Sequence, residues 1–296
     1  MNHNKPLISV ILPTYNRSGY FLGRAIQSVI DQVYSNWELI IVDNNSTDNT
    51  LEFIKTFKDM RIKVYNITND GNIAKSRNLG IKYSTGAYIA FLDSDDYWEK
   101  DKLSMCYQML ETNMYEAVCH GEKWKYHNKT INKSYGPVHN FSSHKLLLRG
   151  NCISLSAIII KRENIINAGC FSIDKKIITA EDYDLWIKLA KDNLKLLFIE
   201  NILGTFEIHK NSESSNISKN TNATLNVIIK HFNNNKKLNE ALSNCWKVSG
   251  KNYYKNGSNL NAIKSFIKSL RYNLFDYKLY LYILISIIPY NVLNRS

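Results

Sequence analysis

The segment Gly86–Trp98, GAYIAFLDSDDYW, joins an apolar run to three carboxylates. The run Tyr88–Leu92 ends directly at Asp93, and Asp95 and Asp96 follow closely. Like charges at close range repel, but a divalent cation between them removes this cost. Mg²⁺ is often held by one or two carboxylates together with substrate phosphates. Two interpretations follow: a metal site that binds a diphosphate, or a solvated acidic turn after a strand.

The first half of the chain alternates apolar runs with segments of helical periodicity. Strands are predicted at Leu7–Leu12, Trp37–Val42, Ile62–Ile67 and Ala87–Leu92. This alternation indicates an α/β fold with a mainly parallel central sheet flanked by helices. Ligands of such sheets bind at the carboxyl ends of the strands. The side chains that follow the four strands therefore predict one shared site, made of Pro13, Tyr15, Asp43, Asn69, Asp93 and Asp95.

The composition bounds the class of protein. The 296 residues, 44% of them hydrophobic, are enough for one large α/β domain and a smaller appendage. A GxGxxG after the first strand and a GxxxxGK[ST] are both absent from the sequence, which disfavours a dinucleotide-binding unit and a P-loop ATPase. The five cysteines form no CxxC pair and no signal peptide is recognisable, so we expect reduced thiols and a cytoplasmic protein.

The positive charge is concentrated in the last third of the chain. The net charge is +12, and residues 205–296 hold thirteen Lys/Arg against four Asp/Glu. Such a segment favours an anionic partner: nucleic acid, an anionic membrane surface or a phosphorylated substrate. The alternative is a solvated basic face without a specific partner. We expect no nucleic acid partner, because the basic residues do not fall on a recognisable reading motif.

Four blocks of sequence together resemble one family. The blocks ISVILPTYNR, IIVDNNSTDNT, NDGNIAKSRNLGIKYSTGAYIAFLDSDDYW and AEDYDLWIKLA, between residues 7 and 209, are similar to the family-2 glycosyltransferases. The resemblance implies a GT-A fold and an inverting transfer of sugar from a nucleotide-diphosphate donor, most often a UDP-sugar, to an acceptor hydroxyl, with Mn²⁺ or Mg²⁺ as cofactor. We therefore predict a GT-A domain over residues 1–210, followed by a basic helical extension over residues 211–296.

The resemblance also assigns the donor site. Pro13, Tyr15 and Asp43 would hold the nucleoside, with the ring of Tyr15 stacked on the base. Asp43 is otherwise a helix cap, a role for which Ser46 and Thr47 compete. Many relatives have DDGS where this chain has DNNS, so Asn44 stands in place of the second acid.

The resemblance places the diphosphate and the metal at the RN pair and the DxD motif. Arg77, which precedes Asn78, would reach the diphosphate or the base, and is otherwise a member of an ordinary surface salt bridge. Asp95 would bind the metal directly, and Asp93 would lie nearer the ribose or bind the metal through water. His209 would be a further metal or diphosphate ligand.

The pair Glu181-Asp182 matches the family's ED motif at the start of a helix. The resemblance makes Asp182 the base that takes the proton of the acceptor hydroxyl, and makes Glu181 the neighbour that positions substrate. This acidic pair would face the metal across a cleft. The alternative is that Glu181, Asp182 and Asp184 are only favourable acids in the first turn of a helix.

The segment Leu274–Leu293 is apolar and rich in tyrosine, but its longest uninterrupted stretch, Leu279–Ile288, is too short to span a bilayer. It is predicted either to lie on an anionic membrane or to pack against the other C-terminal helices. Relatives with such tails often act on polyprenyl-linked glycans at the inner face of the membrane during surface polysaccharide synthesis. The chief rival functions are a catalytically silent nucleotide-sugar-binding protein on the same fold and a nucleic-acid-binding protein.

Overall fold

The computed structural model describes residues 5–126, 129–136, 141–208, 215–232 and 235–290, apart from the side chains of residues 235 and 236. It divides into two compact units. The first comprises Met1–Ser142, Cys152–Ile173 and Lys188–Lys210. The second comprises Ser143–Asn151, Asp174–Ile187 and Asn211–Ser296, so it takes in two segments that precede residue 211.

The strands of the described residues belong to the first unit and form one mixed sheet. They are β1 (Ile8–Thr14), β2 (Trp37–Asp43), β3 (Ile62–Asn66), β4 (Tyr88–Phe91), β5 (Tyr97–Trp98), β6 (Ala117–Tyr126), β7 (Lys129–Lys133), β8 (Ile158–Lys161) and β9 (Leu196–Glu207). The order is β3-β2-β1-β4-β8-β6-β9-β5, and β7 pairs with β6. All strands run in one direction except β5, β7 and β8, so the predicted mainly parallel α/β class is confirmed.

The described residues form eleven α-helices. They are α1 (Tyr20–Ile30), α2 (Thr50–Ile54), α3 (Ile73–Tyr83), α4 (Lys102–Glu111), α5 (Ser143–Arg149), α6 (Arg162–Asn167), α7 (Glu181–Lys191), α8 (Ile217–His231), α9 (Asn235–Lys255), α10 (Asn259–Leu270) and α11 (Tyr277–Ile285). The last four confirm the predicted C-terminal helices. Among the described residues, no helix combines the length and the hydropathy that a membrane span requires.

The four predicted strands are the ones that form the parallel half of the sheet. β1 and β2 are buried along their whole length, as their continuous apolar runs require of strands covered on both faces. β3 is partly exposed, in keeping with its place at the sheet edge. The main core joins these strands to the apolar side of α1, where Leu22, Ala25, Ile26 and Val29 are buried at helical spacing.

Glu38 is a charged residue inside the buried strand β2. Its carboxylate accepts hydrogen bonds from Ser9 Oγ on β1 (2.7 Å) and from Lys63 Nζ on β3 (2.7 Å). It also accepts from the backbone N and the hydroxyl of Thr85, which precedes β4. Burial alone would raise the pKa of Glu38, but these donors outweigh it and lower the pKa to about 2. One carboxylate thus ties together the four strands that carry the predicted site.

We expect Glu38→Gln to lower the free energy of unfolding at neutral pH by about 2 kcal/mol, because charge-assisted hydrogen bonds are lost. The pKa of Glu38 is near 2 in the folded state, whereas the ordinary pKa of a glutamate is about 4.3. The stability that this difference provides is therefore fully present at pH values above the ordinary pKa, and it is lost as the pH falls toward 2. Denaturant unfolding at several pH values checks this. Glu200→Gln on the exposed part of β9 is the matched control. Equal pH profiles for the two variants would contradict the role of the network.

Candidate active site

The loops after β1 and β2 are tied to each other by side-chain bonds. The backbone N of Asn16 donates to Ser46 Oγ (2.8 Å), and the backbone N of Thr47 donates to Asn16 Oδ1 (2.8 Å). The backbone N of Arg17 donates to Thr50 Oγ1 (2.9 Å). The strands end in register, because Thr14 pairs with Asp43. The two loops therefore form one continuous rim at the carboxyl edge of the sheet.

Short polar residues turn the chain sharply at three of these strand ends. Asn16, Asn45 and Asp70 have φ values of 44°, 50° and 54°, in the left-handed region that Asn and Asp tolerate better than other side chains. Asn44, which replaces the second acid of the family motif, accepts a hydrogen bond from the backbone N of Asn69 (2.7 Å). The neutral amide thus connects the end of β2 to the loop after β3.

Asp43 is fully buried and already has a partner on each carboxylate oxygen. Ser46 donates to it through the backbone N (2.8 Å) and the hydroxyl (2.5 Å). Ser46 and Thr47 are expected to compete as the cap of α2, but neither of them caps it. The helix begins at Thr50, and Asp48 accepts a hydrogen bond from the backbone N of Thr50 instead. The reason is that Ser46 is engaged by Asp43 and Thr47 by Asn16.

The two other predicted nucleoside residues differ in exposure. Pro13 is buried within β1, where it pairs with Val42. Tyr15 leaves the strand and is 53% exposed, so its ring is accessible for stacking. Pro13 therefore fixes the direction of the chain just before Tyr15.

Arginines face the predicted metal acids. Nη2 of the buried Arg77 on α3 donates to Asp93 Oδ1 (2.9 Å), and Arg17 Nη2 lies 3.8 Å from Asp95 Oδ2. Arg24 on α1 donates to the backbone O of Asp95 (3.3 Å) and forms an ion pair with Glu207. The repulsion among the acids is thus offset by cations of the protein itself. Arg77 thus forms a salt bridge, but a buried one rather than the surface salt bridge named as the alternative to diphosphate binding.

Asp96 is a structural member of the acidic cluster. It is buried, and its two oxygens accept from Ser156 Oγ (2.7 Å) and from the backbone N of Glu207 (3.1 Å). Burial raises the pKa of Asp96 well above its usual range, with further contributions from Asp95, Glu122 and Asp93. Ser156 also accepts from the backbone N of Asp93 (3.2 Å), so one hydroxyl joins both ends of the acidic turn to the start of β8.

The acids that remain can hold a divalent cation. Asp93 and Asp95 expose 30% and 18% of their side chains, whereas Asp96 is buried and occupied. No cluster of three or more metal-binding side chains occurs in the part of the chain that the structure describes. Two carboxylates nevertheless fit a hard cation that completes its shell with water and substrate phosphates. His209, the other predicted ligand, lies outside the described residues.

Asn78, the neighbour of Arg77, fixes the backbone. Its side chain donates to the O of Phe171 (2.8 Å) and accepts from the N of the same residue (3.0 Å). Phe171 in turn packs edge-on against Phe91 of β4. The RN pair thus divides its work, because Arg77 faces the acids and Asn78 holds α3 to the segment after α6.

The second unit holds the predicted catalytic acids at the start of α7. Glu181 accepts from the backbone N of Thr179 (2.8 Å), whose φ of 84° is strained for a residue other than glycine. Asp182 accepts from Asn151 Nδ2 (2.9 Å) and from the backbone N of Tyr183 (2.7 Å). Both carboxylates are thereby held in fixed orientations at the helix start.

Asp184, the third acid of this turn, is a structural residue. It is fully buried and lies 2.8 Å from both Lys230 Nζ and His231 Nε2 on α8. Burial opposes its charge, but the hydrogen bonds from His231 and Lys230 keep the pKa of Asp184 below its ordinary value. This acid therefore fixes α7 to α8 within the second unit.

The sequence motifs assigned no role to three residues that contact the acids after β4, namely Arg17, Arg24 and Ser156. Arg17 stands in the quoted motif TYNR, and its position just after the first strand was a usable signal. Arg24 and Ser156 gave none, since they lie far in sequence from the acids they contact.

The comparisons with known proteins agree with this architecture. The family model of "Glycosyl transferase family 2" matches residues 9–158. A relative from Escherichia coli, UDP-Glc:alpha-D-GlcNAc-diphosphoundecaprenol beta-1,3-glucosyltransferase WfgD, is 34% identical over 212 residues, which are 71% of this chain and 80% of the relative.

Two solved structures share the fold at low identity. TarS 1-349 of S. aureus, in complex with UDP-GlcNAc, aligns with a TM-score of 0.64 and 19% identity over 90% of this chain and 81% of its own. The mannosyltransferase PcManGT of Pyrobaculum calidifontis, in complex with GDP-Man and Mn2+, aligns with a TM-score of 0.60 and 16% identity over 99% of this chain and 88% of its own. The expected GT-A fold is confirmed, and the chain belongs to glycosyl transferase family 2.

Proposed function

We propose that this chain is a metal-dependent, inverting glycosyltransferase that moves a sugar from a UDP-sugar to a hydroxyl of a lipid-linked glycan. The observation that carries the proposal is that four predicted site residues follow the ends of adjacent strands, namely Tyr15, Asp43, Asp93 and Asp95. Arg17 lies against Asp95, and Arg77 lies against Asp93. The printed name of the E. coli relative, which specifies UDP-Glc and a diphosphoundecaprenol acceptor, supports the choice of substrates. Its biological setting would be surface polysaccharide synthesis.

The residues of the first unit would bind and orient the donor. Tyr15 stacks on the base, and Asp43, held by Ser46, accepts a hydrogen bond from the nucleoside. Asp95 would hold Mn²⁺ or Mg²⁺ directly, with Asp93 nearer the ribose or bound to the ion through water, and the ion would supply positive charge for the leaving diphosphate. Arg17 and Arg77 then have anionic oxygens of the diphosphate as alternative partners to the acids.

Asp182 would act as the base of the reaction. Inversion requires the acceptor oxygen to attack the anomeric carbon opposite the leaving group, and the base removes its proton as the new bond forms. Asn151 and the backbone of Tyr183 hold the carboxylate of Asp182 in one orientation. Glu181 positions the substrate beside it. A silent nucleotide-sugar-binding protein would bind UDP-sugar but neither transfer nor hydrolyse it.

We also propose that α11 rests on the inner face of an anionic membrane. Leu279 packs on Ala262 and Phe266 within the second unit, which is the packing that the sequence allowed as an alternative. The apolar residues around it are exposed, among them Phe275 (95%), Leu281 (53%) and Leu284 (63%). An exposed apolar patch on a strongly basic segment fits an anionic lipid surface.

Asp95→Asn should reduce sugar transfer by more than about 100-fold, because the metal ion that would neutralise the leaving diphosphate loses its carboxylate ligand. The same variant should bind UDP equally well with and without Mn²⁺. Transfer assays with UDP-glucose and calorimetric titration with UDP measure both effects. Asp31→Asn, an exposed aspartate just after α1, is the control. Full activity and an intact Mn²⁺ effect on UDP binding in Asp95→Asn would overturn the metal assignment.

Asp182→Asn should lower kcat about 10²- to 10⁴-fold without changing UDP affinity, because the amide keeps the shape of the side chain but cannot accept the proton. Steady-state kinetics and UDP titration separate the two quantities. Asp192→Asn, an exposed acid after the end of α7, should leave both unchanged. A folded Asp182→Asn with near-normal turnover would show that another group is the base, and the same loss in Glu181→Gln alone would move the role to Glu181.

Leu281→Ser combined with Leu284→Ser should release the chain from lipid vesicles, because it removes exposed apolar area and no charge. Co-sedimentation with phosphatidylcholine vesicles that contain phosphatidylglycerol measures this. The control is Val33→Ser with Met60→Ser, which removes exposed apolar side chains (61% and 99%) from the first unit. If both double variants bind the vesicles as tightly as the native chain, α11 does not contact the membrane.

A further inference from the structure

A basic cavity lies between α8, α9 and α10 of the second unit. Its volume is about 370 Å³, within the range of sites that take small organic ligands. Its lining includes Thr221, Trp246, Ser249, Lys264, Lys268 and Arg271. Among the described residues that line it, none carries a carboxylate, so the cavity presents three positive charges and neutral polar groups.

The three cations are arranged at a cost that a bound anion would remove. Lys264, Lys268 and Arg271 follow one another at helical spacing along one side of α10 and its C-terminal cap. Like charges one turn apart on a helix repel each other and destabilise it. The helix dipole favours cations in the last turn, which accounts for Lys268 and Arg271 but not for Lys264 in the turn before.

Among the described residues of the second unit, other lysines are paired with aspartates, unlike the three cations of the cavity. Lys230 pairs with Asp184 (2.8 Å) and Lys247 pairs with Asp276 (2.6 Å). Within the described part of the chain, the three cations of the cavity form no such pair. Lys268 is instead held over the ring of Trp246, with Nζ 4.2 Å from the ring centroid. A cation–π contact of this kind fixes the ammonium group and leaves its charge available to an anion.

Hydroxyl and amide groups make up most of the remaining lining, beside Trp246, Tyr253 and Ile267. Thr221, Ser249 and Ser265 are buried, and the hydroxyl oxygens of Thr221 and Ser249 lie 2.9 Å apart in a hydrogen bond. Asn222 and Asn261 add amide groups to the lining. Hydroxyls and amides suit the hydroxyl groups of a sugar or polyol, and the cavity is larger than a phosphoryl group alone requires.

We propose that this cavity is a second ligand site, which binds a phosphorylated sugar or polyol with its phosphoryl group against Lys264, Lys268 and Arg271. The site goes beyond the proposed transfer reaction and does not depend on it. Two sources share this chemistry: a soluble sugar phosphate and the head group of an anionic lipid.

Binding of α-D-glucose 1-phosphate to the full chain without added metal tests the soluble source. Lys264→Gln combined with Lys268→Gln should weaken binding at least about tenfold, as expected for the loss of charge-assisted hydrogen bonds. The control is Lys175→Gln with Lys255→Gln, which removes two exposed charges of the same unit outside the cavity. The Asp95→Asn variant should bind as the native chain does, since the probe then does not occupy the donor site.

Vesicles with phosphatidylglycerol test the lipid source. The cavity variant is Lys264→Gln with Lys268→Gln, and the control variant is Lys175→Gln with Lys255→Gln. The ligand is a lipid head group if glucose 1-phosphate does not bind and the cavity variant dissociates from the vesicles while the control variant stays bound. Equal binding of the cavity and control variants to both probes overturns the proposal. So does a loss of glucose 1-phosphate binding that follows Asp95→Asn rather than the cavity variant. Circular dichroism melting of each variant shows whether a loss comes from unfolding.

Discussion

The repulsion among the acids after β4 is the constraint on which the rest of the site depends. Three carboxylates within four residues are held together because each has a different compensation. Asp93 has Arg77, Asp95 has Arg17 and a backbone contact to Arg24, and Asp96 is buried against Ser156 and the backbone of Glu207. Only the first two remain partly exposed. In the proposed reaction, the same arrangement that stabilises the turn would present two acids to a cation and arginines to the diphosphate.

The rim around these acids is rigid for a related reason. Loops at the ends of parallel strands have backbone groups that no neighbouring strand satisfies. Here side chains satisfy them: Ser46, Asn16 and Asn44 each bond to the backbone of another loop. Below the rim, Glu38 joins the same strands through four donors. The loops that would contact the nucleoside are thus held by polar contacts from both sides.

The second unit uses its charges in two different ways. Asp184 and Asp276 neutralise the lysines that hold helices together, at Lys230 and Lys247. The cations along α10 are left around a cavity instead, and the apolar side chains of α11 are left exposed. Both features cost stability in the chain alone. That cost supports the view that this unit meets ligands that the chain itself does not supply.

The sequence by itself determined the α/β class, the parallel strands and the residues at their ends. It could do so because buried strands need apolar runs, and because the polar residues that stop these runs necessarily lie at one edge of the sheet. The four motif blocks likewise identified the family. The roles assigned to the site residues stay predictions. His209 lies outside the described residues.

Only the tertiary structure decided how the acids differ from one another. Asp93, Asp95 and Asp96 look alike in the sequence, and so do Asp182 and Asp184. Their roles depend on partners distant in sequence: Ser156 and Glu207 for Asp96, and Lys230 and His231 for Asp184. Local patterns carry no record of such partners, because burial and pairing of a charge arise only when separate elements pack together.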